Sequence, residues 1–143
     1  MNVEQADIIK RTMDASHSGE ISFGEQVGRL AALGVERYHA DYTRQERTFY
    51  MPDGDSLVVS VPQAAHVTGG EFSAAAIEAA VRQSQRNEHT YAEFVEKTMA
   101  AGCVGYFVQI TGKQALYFGR RGEVHIEKFP SAPAPQKNVA RAN

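Results

Sequence analysis

The sequence has one cysteine, Cys103, no tryptophan, and no apolar run approaching the roughly 18 residues of a membrane-spanning helix. A single cysteine excludes an intramolecular disulfide framework and any zinc site built from several thiolates, and it fits a reducing compartment. Positive charge is not in surplus. With 15 Lys and Arg against 17 Asp and Glu, the formal net charge is −2, so no global field draws the chain onto nucleic acid or anionic lipid. The N-terminus, Met-Asn-Val-Glu-Gln-Ala-Asp, is acidic where a signal peptide needs positive charge. The expectation is a cytoplasmic protein without nucleic-acid or membrane partners. A Walker loop, a dinucleotide glycine pattern and an HExxH motif are all missing; no catalytic residue, metal ligand or cofactor is assigned.

What the sequence does contain is a repeat. Slid against itself by 68 positions, the chain matches without gaps: Ser16 meets Ser84, Glu20 meets Glu88, Gly34 meets Gly102, Tyr38 meets Tyr106, Gly54 meets Gly122 and Pro62 meets Pro130. Matched glycines, prolines and capping residues fall at the same places in the expected elements, which shared composition does not explain. The fold class expected is α+β, an internal duplication of a helix-helix-three-strand unit with antiparallel sheet and helices on one face. Residues 1–130 form a single domain of two repeats, about 2–62 and 70–130. The Pro- and Ala-rich residues 131–143 are expected to be a flexible tail.

Local signals place the elements. Val3, Ala6, Ile9 and Met13 make a helical stripe closed by Gly19; Ser22 with Glu25, and Thr90 with Glu93, are capping boxes for second helices in each unit. Phe23, Val27 and Leu30 are expected to face inward. Gly34 and Gly102 supply the left-handed residue past those helices, after which the period changes to 2. Extended stretches are expected at about 36–43, 46–51 and 56–61, and again at about 103–111, 114–119 and 123–129.

Gly34-Val35-Glu36-Arg37-Tyr38-His39, and more so Ala100-Ala101-Gly102-Cys103-Val104-Gly105-Tyr106-Phe107 and Tyr117 to Pro130, carry a resemblance. The chain resembles the YbcV-like proteins, a bacterial and prophage-borne family of unknown function sometimes labelled phage envelope protein. The resemblance implies no activity and no functional residue; its label implies a phage structural component.

Strand alternation sorts side chains onto two faces. Tyr38, Ala40, Tyr42, Thr48, Tyr50 and Val58, with their equivalents, are expected under the helices. The other face then holds Arg37, His39, Asp41, Phe49, Met51, Leu57, Val59 and Val61 from the first unit, with Phe107, Tyr117, His125, Glu127 and Phe129 from the second. So apolar a face reads as a contact surface for a homodimer or a groove for a small apolar ligand. Leu57 and Val59 align with His125 and Glu127, one pair an apolar wall and the other titratable. His39/Asp41 and His125/Glu127 would support acid–base or metal-dependent chemistry only if the two strands converge. Cys103, entering an apolar strand, reads as buried and inert. Gly119-Arg120-Arg121-Gly122 reads as a hairpin turn or a small anion cradle.

Overall fold

The computed structural model describes residues 1–64 and 66–130; the expected tail at 131–143 lies outside the described residues. Two helices, α1 (Val3–His17) and α2 (Phe23–Ala32), precede three strands, β1 (Arg37–Asp41), β2 (Glu46–Tyr50) and β3 (Ser56–Ser60). The second half repeats the order with α3 (Ala74–Gln85), α4 (Tyr91–Ala100), β4 (Cys103–Gln109), β5 (Gln114–Gly119) and β6 (Val124–Lys128).

Each helix begins where a side chain can accept the first free amides. Asn2, Ser22 and Thr90 form capping boxes with Gln5, Glu25 and Glu93, and Ser73 caps α3 through the amide of Ala76. Gly34 and Gly102 both sit at φ +89° past α2 and α4, as a helix stop in the left-handed region requires. The left-handed residues repeat in register: Gly19 with Asn87, Gly34 with Gly102, Gln45 with Lys113, and Gly54 with Gly122 are all 68 apart.

All six strands join one antiparallel sheet in the order β3-β2-β1-β4-β5-β6. At its centre, Arg37 of β1 lies opposite Gln109 and Asp41 opposite Gly105, while His39 faces Phe107. Shifting by 68 turns each of these pairs into another on the same seam, and His39 meets its own equivalent. A pseudo-two-fold axis therefore passes between His39 and Phe107.

The core lies between one sheet face and the helices. Tyr38, Phe49, Ile9, Leu30, Ile77, Val95 and Val108 are at most 1 % exposed. Expectation and structure part at two helix positions: Val3 and Phe23 are exposed, and α2 buries Gln26 beside the expected Leu30. Cys103 is fully buried, and burial pushes its thiol up to about 11, so it stays protonated.

Candidate functional site

The register of the hairpins decides which side chains meet. Four residues separate β1 from β2, and the pairing sets Tyr38 against Phe49 and Ala40 against Arg47; even-numbered residues of β1 therefore share a face with odd-numbered residues of β2. From there Phe49 pairs Leu57 and Arg47 pairs Val59. In the other half Tyr106 pairs Tyr117, which pairs His125, and Ala115 pairs Glu127.

The face expected from alternation is consequently split. Arg37, His39, Asp41 and Phe107 do lie together on the face without helices. Phe49, Leu57, Val59, Tyr117, His125 and Glu127 lie on the opposite, helix-covered face, and the open face takes Thr48, Tyr50, Val58, Leu116, Phe118 and Ile126 in their place. The physical reason is the turn. An antiparallel hairpin changes parity with loop length, and one residue of register moves every side chain of a strand to the other face. Leu57 packs against the core; Leu57→Asp is therefore expected to lower stability by about 2 kcal/mol through an unpaired, part-buried carboxylate. Circular dichroism melts check this. An unchanged melt would return Leu57 to the surface.

His125 and Glu127 form a structural network under α3. His125 Nε2 and Glu127 Oε2 are 2.6 Å apart, Glu127 Oε1 accepts from Arg82 Nη1 at 3.0 Å, and Arg82 Nη2 donates to Glu78. Asp41 is occupied differently: its Oδ1 accepts the amides of Thr43 and Arg44, closing the β1–β2 turn. The two His/acid pairs thus stand on opposite faces of one sheet and share no substrate position. Among the described residues, no group of three or more His, Cys, Asp or Glu is placed to hold a metal ion. The Gly119–Gly122 turn is a hairpin whose Arg121 amide donates to Glu123.

On the open face His39 stacks on Phe107 with ring centroids 4.5 Å apart and planes 11° from parallel, and Phe118 leans against both. Arg37 covers the Tyr50 ring at 4.3 Å. Toward the edges, Val58, Val124 and Ile126 are exposed. Burial among these rings lowers the His39 pKa, partly opposed by Asp41.

Sequence reasoning missed the most unusual group, on the covered face. Arg47 is 1 % exposed, and its guanidinium meets only neutral acceptors: His17 Nε2 at 2.5 Å, the Tyr91 hydroxyl, and the Tyr106 hydroxyl at 3.3 Å. Tyr38 and Tyr91 present ring faces to it at 5.6 and 5.0 Å. Its Nε has no partner among the described residues. Around it, Tyr91 and Tyr106 share a hydrogen bond of 2.9 Å, and Ser16 holds Gln26, whose amide donates to Tyr38 at 2.6 Å. Burial disfavours the Arg47 charge while the surrounding phenol oxygens favour it, and the net result keeps it protonated. His17 takes the opposite consequence: burial, then the Arg47 charge, lowers it to about 3. One signal was available, since the repeat puts Ala115 at the equivalent position.

Residues 1–60 match the model of a family described as a protein of unknown function (DUF1398). No curated protein matches the chain. The matched segment ends on Ser60, the last residue of β3, and so covers one helix-helix-three-strand unit.

Proposed function

We propose that this chain is a binding domain, built by duplication of one unit, whose open sheet face is closed by a second copy of itself. The observation that carries this is the central stack of His39 and Phe107, flanked by exposed Val58 and Ile126 at equivalent places on the two sides. Apolar surface that spans a sheet and is rimmed by Glu46, Ser56, Ser60, Gln114 and Lys128 has the anatomy of an interface core and rim. A broad sheet face suits another sheet packed about 10 Å away, whereas small-molecule sites are concave. Because the face has its own pseudo-two-fold axis, it fits an isologous dimer. With β1 antiparallel to its copy, Arg37 of one chain lies over Asp41 of the other. A structural role in a phage particle, which the YbcV-like resemblance implies, would draw on the same self-association.

Light scattering on the wild type and on the double variant Val58→Asp, Ile126→Asp tests the reading. Both sites are about half exposed, so the variant should keep its circular dichroism spectrum. The wild type is expected at the mass of two chains and the variant at one. A monomeric wild type overturns the dimer, and a monomer that brightens an apolar dye only when these sites are intact points instead to a small apolar ligand.

A further inference from the structure

A guanidinium taken out of water loses several kcal/mol of hydration, which a buried carboxylate ordinarily offsets. Arg47 has no such partner among the described residues: the ion pairs found among them do not include it, and its three acceptors there are an imidazole and two phenols. One of its five N–H groups, on Nε, finds no acceptor among the described residues. The scaffold does not require this arrangement. At the equivalent place the second half carries Ala115, buried and equally well accommodated between strands.

Two of the rings against the Arg47 guanidinium belong to helix ends: His17, in the last turn of α1, and Tyr91, the first residue of α4, stack 4.1 Å apart and 6° from parallel. Both residues are only half-buried.

We propose that Arg47 is the anchor of a binding site for a small aromatic carboxylate, entered between the C-terminal end of α1 and the N-terminal end of α4. The chemistry selects the class. A lone guanidinium offers a fork that fits a carboxylate with two parallel hydrogen bonds. One positive charge neutralises a monoanion and leaves a phosphate dianion undercompensated. The walls are aromatic: Tyr38, Tyr91, Tyr106 and, against Tyr106, Phe94. A planar ring entering beside Tyr91 replaces the His17 stack with one of its own. The site is on the helix side of the sheet and is independent of the open face.

Benzoate is the probe, with inorganic phosphate as the comparison. Each is titrated into the full chain at fixed pH and salt while the His17 ring resonances are followed by NMR. Benzoate is expected to shift them saturably and phosphate to leave them in place. Arg47→Met, which keeps the volume and removes the charge, is expected to bind benzoate at least tenfold more weakly; Arg47→Lys, charged but without the fork, falls between. Unmoved His17 resonances in the wild type overturn the proposal whether or not either variant folds. Equal benzoate affinity in wild type and Arg47→Met overturns it as well, and stronger binding of phosphate than of benzoate overturns the carboxylate assignment.

Discussion

Acidification from pH 7 to pH 4 is expected to destabilise the folded chain by roughly 3 kcal/mol through His17 alone. In the unfolded chain this imidazole titrates near its ordinary value of about 6.5, whereas in the fold, burial and the Arg47 charge hold it near about 3. Between these values the unfolded state binds a proton that the folded state refuses. Stability is therefore complete above the unfolded value, falls as pH drops through the window, and levels off below about 3. His39 and His89, both lowered chiefly by burial, act with the same sign. The decisive variant is His17→Gln, which keeps an acceptor for Arg47 and introduces the residue the second half carries at the equivalent place, Gln85. Urea midpoints of this variant should fall much less steeply than the wild type's, keeping only the part of the slope that His39 and His89 supply. A slope as steep as the wild type's would remove His17 as the cause.

Two equivalent glycines should respond very differently to the same substitution. Gly34 and Gly102 share φ +89°, so alanine at either place is forced into the left-handed region at about 1 kcal/mol. At Gly34 the added Cβ would meet only the flexible end of Met51, 3.4 Å away. At Gly102 it would lie 2.6 Å from the carbonyl oxygen of Glu71 and 2.9 Å from Phe72 Cα. Backbone has to move there. Gly34→Ala is expected to cost about 1 kcal/mol and Gly102→Ala about 3 kcal/mol, the difference being the overpacking of the segment that leads into α3. Equal costs in urea melts would mean that residues 71 and 72 yield freely.

Helix ends were legible because caps and left-handed stops are local: Ser22 with Glu25, Thr90 with Glu93, Gly34 and Gly102 act within a few residues. The strands were legible for the same reason, and five-residue β3 and β6 fall inside the extended stretches expected for them. Face assignment beyond β1 and β4 was not. Whether Phe49 or Tyr50 points to the helices depends on the pairing register across a four-residue turn, and alternation within a strand carries no information about it. No local signal marks Arg47, and the acid beside it, Glu46, pairs with Arg44. The phenols that receive Arg47 come from positions 91 and 106, whose approach to it only the tertiary fold creates.

The pseudo-two-fold seam also bears on how the chain can exchange parts. Within the sheet, the halves meet only where β1 lies against β4, five paired residues long. Every strand contact on either side is internal to one half. A neighbouring chain offers the same β4 edge to the same β1, so first and second halves can trade partners between molecules without altering a single pair. Such a domain-swapped pair keeps His39 opposite Phe107 and ignores changes at Val58 and Ile126. A central repeat seam thus lets the length of chain between β3 and α3 govern swapping, while the open face governs docking of whole chains.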